Sequence, residues 1–333
     1  MTICYFGSYD QSYGRTRVLT KGLRKNGDTV YECHSSRSIM AGRWVELFYN
    51  FLKIKCDLIL VGFPGHTDVF LAWIIAKMFH KRLIFDAFIS LYDSRCLDKK
   101  EYNPKSFSGR LLWLQDMITC HIVDFTLLDT HEHINFFVNE FNIAESRFIR
   151  VLVGTDEDLF YPRKTIRNKI FTVVFHGTFL PLQGTDVIIA AAKRLPEVEF
   201  KLLGKPPFLP WLPYYKTPDF VNSGDIYLAG PFGITSKAGR VIPNKAYEAI
   251  AMGKPVIVGK TKAMEELFTN GVDCLMVSQG DVSSLVEAIT YLKNNLNIKN
   301  RIARNGYLLF KKRATSAKIG KDLHDNLAKL LSK

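Results

Sequence analysis

IFTVVFHGTFLPLQGTDVIIAAAKRL, residues 170–195, decides how the chain is read. It begins with a short apolar run, the pattern of a strand covered on both faces. It ends in apolar residues at helical spacing, from Thr185 or Asp186 onward. Between them Gly177 and Gly184 bracket a loop that would let a phosphate or sugar come close to the backbone. The whole is a strand, loop and helix of a parallel α/β sheet. His176, just before Gly177, reads more readily as a packed core histidine than as a ligand.

The same alternation runs in both directions from this unit. Downstream come VEFKLLG, DIYLAGPFG, KPVIVG and DCLMV as strands, with NKAYEAIAMG, AMEELFTNG and SSLVEAITYLKNN as helices. Upstream, TICYFGSY, TVYECHS, CDLILVGF, RLIFDAF, DFTLLDT and RFIRVLVG are strands, and GRTRVLTKGLRKNG is a helix that Gly27 stops. The periodicity breaks only in GTDEDLFYPRKTIRNK, which puts a boundary at about residues 157–168. The expected architecture is α/β, with two doubly wound Rossmann-like domains facing a central cleft. They cover residues 1–160 and 168–315, and residues 316–333 form a terminal helix that could return to the first domain.

A chain of 333 residues suits two domains, and 47% apolar with 23% charged residues is a globular composition. The net charge of +13 is uneven: residues 1–163 hold 20 basic against 19 acidic side chains, residues 164–333 hold 25 against 13. From Lys293 to Lys321 there are nine basic residues and no acidic one. Such a bias suits an anionic ligand, an anionic membrane surface or a solvated helix face. Nucleic acid would need a continuous basic stripe with exposed aromatics, for which the sequence offers little. Six scattered cysteines without CxxC spacing fit a reducing cytoplasm. No signal peptide is apparent, and the apolar run DVFLAWIIAKMF is too short to span a bilayer.

Ligands of parallel sheets bind beyond the carboxyl ends of the strands, so the loops there are the ones to read. After the first strand, Gly7 and Gly14 bracket a loop, and Arg15 and Arg17 open a helix where cations oppose the dipole. An anionic ligand or a carboxylate partner would explain both arginines. The spacing is not GxGxxG, which disfavours NAD and FAD. After RLIFDAF, Asp86 and Asp93 are candidates for a base or a sugar ligand, with Ser90 and Tyr92 beside them; a turn or cap acid is the plainer reading for Asp93, while for Asp86 the two readings stand level. His131 and His133 form only an HxH pair, and no metal is expected.

GITSKAGRVIPNKAYEAIAMGKPVIVG, residues 233–259, is the most charged of these loops. Lys237, Arg240 and Lys245 follow a strand end, and Gly230 and Gly233 should leave backbone N–H groups open to a diphosphate. Pro243 suits a helix start. Glu248 could accept two hydrogen bonds from a ribose diol, or simply pair with Lys245 along the helix.

Four segments together resemble glycosyltransferase family 4, enzymes of the GT-B fold. VGTDEDLFYP, with Gly154, Asp156, Phe160 and Pro162, looks like the family's interdomain linker. VVFHGTFLPLQGTDVIIAAAKRL, PNKAYEAIAMGKPVI and EELFTNGVDCLMVSQGDVSSLVEAI are similar to its donor domain. The resemblance implies metal-independent, retaining transfer of a sugar from a UDP- or GDP-linked donor to an acceptor hydroxyl, with no cofactor. It implies a donor site drawn from Gly177, Thr178, Gly184, Phe232, Gly233, Lys237, Arg240, Asn244, Lys245 and Glu248, with Glu248 on the ribose. Asp86, Arg240 and Lys245 are the candidate catalytic residues. Departures are visible. The first of the family's paired glutamates falls on Arg240, and the usual Arg and Lys of the first donor loop on Thr178 and Gln183. The phosphate cations would then have moved to Lys237, Arg240 and Lys245. The segment between KLLGK and DIYLAG is short for the family, which leaves the nucleobase pocket near Gly204 and Lys205 unassigned.

The acceptor side falls to the first domain. There GRWVELFYNFLKIK, with Trp44, Phe48, Phe51 and Leu52 beside Arg43, Lys53 and Lys55, and SFSGRLLWLQDM read either as buried helices or as a peripheral membrane face. A glycan or lipid-linked acceptor in cell-surface polysaccharide synthesis is the expectation, at the cytoplasmic side of the membrane. A nucleotide-sugar epimerase or hydrolase, and a non-catalytic partner subunit, are the alternatives.

Overall fold

The computed structural model describes residues 1–164, 168–204, 209–210 and 212–332. Lys205 of the expected nucleobase pocket lies outside them. From the N-terminus the elements are β1 (Thr2–Gly7), α1 (Gly14–Lys25), β2 (Thr29–His34), α2 (Met40–Phe51), β3 (Leu58–Val61), α3 (Asp68–Met78), β4 (Arg82–Phe88), α4 (Phe107–Ile122), β5 (Phe125–Leu128), α5 (His131–Phe141) and β6 (Phe148–Arg150). Then follow β7 (Thr172–His176), α6 (Thr185–Arg194), β8 (Glu199–Leu203), α7 (Thr217–Asn222), β9 (Ile226–Leu228), α8 (Asn244–Ala251), β10 (Val256–Gly259), α9 (Lys262–Glu265), β11 (Leu275–Val277), α10 (Val282–Asn294), α11 (Leu296–Arg313) and α12 (Ser316–Leu331).

Two compact units result. One comprises Met1–Val153 with Ser316–Lys333, the other Gly154–Thr315. The chain changes unit a few residues before the boundary drawn from sequence. Packing explains the shift: Phe160 is fully buried against the Tyr214 ring, and Thr155 bridges to Thr315, all within the second unit.

The first unit is a six-stranded parallel sheet of order β2-β1-β3-β4-β5-β6. Its inner strands β1, β3 and β4 are buried almost throughout, as continuous apolar runs require. The edge strand β2 instead exposes Thr29, Tyr31 and Glu32. α1 turns Val18, Leu19 and Leu23 inward, and Gly27, at φ +85°, follows its end. α12 crosses α1 at closest approach through glycines. A Cβ on Gly22 would lie 2.2 Å from the Ser316 carbonyl oxygen, and one on Gly320 only 2.0 Å from the Gly22 carbonyl carbon. Asp28 ties the same helix down, accepting from the N-terminal amine at 3.0 Å and facing His324 Nδ1 at 2.9 Å.

The second unit is a five-stranded parallel sheet of order β11-β10-β9-β7-β8. β8 lies on one side of β7, while β9 and the strands after it extend on the other. The strand order therefore reverses beside β7, and a crevice opens at the carboxyl ends of β7 and β9. The loops that leave those two ends are 177–184 and 229–243.

Candidate functional site

The two loops are bonded to each other. The Phe232 N–H donates to the Gln183 carbonyl at 3.3 Å and the Gly233 N–H to the Leu182 carbonyl at 3.1 Å. The Gln279 amide donates to the Gly233 carbonyl at 2.7 Å. This corrects the expectation that the Gly233 and Phe232 backbone is open to phosphate, because those N–H groups already have acceptors. Phe232 is fully buried. The glycines permit the contact: a Cβ on Gly184, which sits at φ +62°, would fall 2.5 Å from Gly233 N, and one on Gly233 would fall 2.0 Å from the Pro181 carbonyl oxygen. Gly177 also donates its N–H, to the Leu203 carbonyl at 3.0 Å.

What this scaffold holds up is a pair of buried ionisable groups on α8. Pro243 precedes the helix, where its missing N–H costs nothing. Lys245 and Glu248 stand three residues apart on one face and are both buried. They do not pair with each other. Lys245 Nζ donates to Gln183 Oε1 at 2.6 Å and lies 4.1 Å from the centroid of the Phe175 ring. A Cβ on Gly177 would sit 2.4 Å from that Nζ, so a side chain there would displace the ammonium from its place. Burial pushes the Lys245 amine down to about 7, with Glu248 pulling the other way.

Glu248 Oε1 accepts from the Tyr214 hydroxyl at 2.9 Å, and Oε2 faces His176 Nε2 at 3.1 Å. Tyr227 is fully buried, and burial holds its hydroxyl protonated well beyond the ordinary tyrosine range. That hydroxyl lies 2.5 Å from His176 Nδ1, so the ring stands between Tyr227 and Glu248 with one nitrogen toward each. His176 is thus more than core packing: its ring faces the carboxylate.

The other expected donor residues lie on the same two loops and at the start of α8. Asn244 is the first residue of α8 and half-buried; Thr178 is exposed. Lys237 is buried, and Arg240, half-buried, ends the short 3₁₀ turn Ala238–Arg240. Residues that sequence reasoning passed over are Gln183, Tyr214 and Tyr227. Gln183 was visible as the residue standing in a cation's usual place. Tyr214 and Tyr227 gave no local signal, because their role comes from contacts 34 and 51 residues away.

In the first unit the geometry revises two assignments. Arg15 and Asp86, 71 residues apart, form a buried bidentate pair: Nε and Nη2 donate to the carboxylate at 2.7–2.9 Å. Arg15 Nη1 also donates to the Val151 carbonyl, and its guanidinium lies over the Phe88 ring. The arginine that seemed to await an anion has its carboxylate inside the protein, and Asp86, fully buried, is not a base for a bound sugar. Gly7 ends β1 at φ +125°, next to Asp68, which accepts from the Ser8 N–H at 2.8 Å. Gly14 and Arg17 lie in the first turn of α1, Arg17 half-buried. Ser90 donates to Asp116 at 2.6 Å, and the Asp93 N–H donates to Ser90. His133 is buried against Asp129 while His131 is exposed, so the two do not form one site. Among the described residues no three His, Cys, Asp or Glu side chains converge as a metal site.

Trp44 and Phe48 pack on the core, and Phe51 is buried within it. Of the four apolar residues named in GRWVELFYNFLKIK only Leu52 is exposed, whereas Phe107, Leu111 and Leu114 of SFSGRLLWLQDM are all exposed.

Comparison with known proteins agrees with this layout. Residues 185–325 match the family described as glycosyl transferase-like. An uncharacterised glycosyltransferase, MJ1178 of Methanocaldococcus jannaschii, is 26% identical over 185 residues, which are 50% of each chain; the match thus spans half that relative's length. Among solved structures, Anabaena HepE in complex with UDP and glucose superposes with a TM-score of 0.70 at 13% identity, over 99% of this chain and 100% of that one. Sucrose-phosphate synthase from Thermosynechococcus elongatus superposes with a TM-score of 0.72 at 13% identity, over 100% of this chain and 99% of that one. The chain therefore has the GT-B fold, and its residues 185–325 are similar to the glycosyl transferase-like family.

Proposed function

We propose that the protein is a glycosyltransferase that takes its sugar from a UDP- or GDP-linked donor. The observation that carries this reading is the Lys245–Gln183 contact beside the Glu248–His176 pair, at the carboxyl end of β7 where the strand order reverses. A buried ammonium and a buried carboxylate on one helix face suit the two polar ends of a nucleotide: Lys245 meets the diphosphate and Glu248 the ribose diol. The complexes of HepE with UDP and with UDP-glucose support a uridine nucleotide as the first to try.

In the reaction, the bond from the sugar's anomeric carbon to the diphosphate oxygen breaks. The acceptor oxygen bonds to that carbon and releases its proton. Negative charge grows on the departing diphosphate, where Lys245 is placed to stabilise it, with Lys237 and Arg240 on the adjoining loop. The reading includes retention at the anomeric carbon, needs no metal, and takes a glycan or lipid-linked acceptor on the cytoplasmic side of a membrane. Thermal shift and calorimetry with UDP, GDP and their sugars test it. Binding of one nucleotide, lost in Lys245→Met and Glu248→Gln, is the expected result. Failure of every nucleotide to bind the wild-type protein overturns it.

A further inference from the structure

Charge and exposed apolar surface coincide along one edge of the first unit, away from the loops where ligands of a parallel sheet bind, as they also do around Phe107, Leu111 and Leu114 of α4. α2 turns Val45, Tyr49 and Leu52 to solvent, spaced at one helical stripe, and these are 71%, 61% and 54% exposed. α3, packed beside it, does the same with Ile74 and Met78, and Trp73 and Phe79 flank them, also exposed. The two helices end at the edge of the sheet where β1, β3 and β4 begin. A cavity of about 520 Å³ opens there, walled by Phe51, Leu52, Phe79, Lys55 and Lys81. A second, of about 340 Å³, continues it past Lys81 to Trp73, Lys77 and Arg82.

The charge of this edge is one-sided. Lys53, Lys55, Lys77 and Lys81 make no ion pair among the described residues; Lys53 lies over the Tyr49 ring. The nearby acids have partners already: Asp57 accepts from the Thr2 N–H at 2.7 Å, and Asp124 from Arg82 and the Leu83 N–H. The basic run near the C-terminus is different, although it has more charge. Lys293 pairs with Glu197, Lys299 with Asp225, Lys318 with Asp322 and Lys321 with Asp325, while Arg301 and Arg313 donate to backbone carbonyls. Apolar side chains ringed by unpaired lysines are what a headgroup layer of phosphates over acyl chains would meet.

We propose that this edge of the first unit docks on an anionic phospholipid bilayer, with Leu52, Met78 and Phe79 entering the interface and Lys53, Lys55, Lys77 and Lys81 meeting lipid phosphates. No described helix is long and apolar enough to cross a membrane, so the contact is peripheral. Each lysine near an anionic surface adds about 1 kcal/mol, or roughly fivefold in partition. The proposal stands on surface chemistry alone and does not depend on the donor reading.

Cosedimentation with vesicles of phosphatidylglycerol and phosphatidylcholine, against phosphatidylcholine alone, tests it with the full chain. The wild-type protein is expected to bind the anionic vesicles, and Lys53→Glu/Lys55→Glu/Lys77→Glu to lose at least a hundredfold. Met78→Gln/Phe79→Ser is expected to lose binding with the circular dichroism of the folded protein kept, although the lost Phe79–Phe51 contact lowers its unfolding temperature. Trp73 emission should shift to the blue on the anionic vesicles and not on the neutral ones. The proposal fails if the wild-type protein ignores anionic vesicles, or if the triple reversal binds normally. It fails equally if Lys311→Glu/Lys312→Glu or Phe107→Ser is what abolishes binding, or if light scattering shows a dimer that the Met78 and Phe79 changes dissolve, which would make the edge a protein interface.

Discussion

Lys245 gives the sharpest handle on the account. Its amine is buried and held near 7, against about 10.4 in an unfolded chain. Between those two values the unfolded chain holds a proton that the folded protein has released. Stability therefore rises with pH across this window. Below pH 7 both states are protonated, and the folded protein bears the whole cost of a buried charge. At about 1.4 kcal/mol per pH unit the window is worth about 5 kcal/mol at most. Lys245→Met removes the cost, so the variant should be the more stable at pH 6 and lose that advantage by pH 10. A diphosphate reverses the balance, because its charge draws a proton onto the amine. At pH 8.5 the free protein holds Lys245 nearly neutral, and binding UDP should take up close to one proton. At pH 6 it should take up none. Calorimetry in buffers of different ionisation enthalpy counts these protons directly. Lys245→Met should abolish the uptake and weaken UDP by roughly 10- to 150-fold, the range of a hydrogen bond to a charged group, about 1.5–3 kcal/mol. Proton uptake that persists in Lys245→Met, or undiminished affinity, would refute the assignment.

Other substitutions test the surrounding claims. Glu248→Gln should reduce the preference for UDP over 2′-deoxy-UDP toward unity, measured by competitive binding, in line with the proposed contact of the carboxylate with the ribose diol. Arg15→Ala or Asp86→Ala should each cost about 3–5 kcal/mol in urea unfolding, while Arg15→Met/Asp86→Leu should come close to the wild type, because the pair leaves no orphaned charge when both go. Gly320→Ala forces apart α1 and α12 and should cost about 1–3 kcal/mol or more, read as a lowered unfolding temperature.

The strands were legible because a parallel sheet buries both faces, and that writes short apolar runs into the chain; every run read as a strand contains an observed strand, while the longer run DVFLAWIIAKMF is the helix α3. Pro243 marked the start of α8 correctly for the same kind of local reason. What the sequence concealed was partnership over distance. Arg15 at a helix start looked like an anion site, and only the fold brings Asp86 to it across 71 residues. Gly233 looked like open backbone, yet the 181–184 loop folds against it and takes its N–H. The Lys245–Glu248 spacing suggested an ion pair, but Gln183, Tyr214 and His176 compete for the two groups and separate them. In α2 the apolar residues were visible, but which stripe faces the core was not. Trp44 and Phe48 went inward, and Val45, Tyr49 and Leu52 went out.

The most direct test of the central claim is a panel of UDP- and GDP-sugars incubated with wild-type protein and a mixed glycan and lipid-linked acceptor fraction, read by mass spectrometry. The account predicts a glycosylated product and free nucleoside diphosphate from at least one donor, both lost in Lys245→Met. Release of diphosphate that continues unchanged in that variant, or no product from any donor that binds, would contradict it.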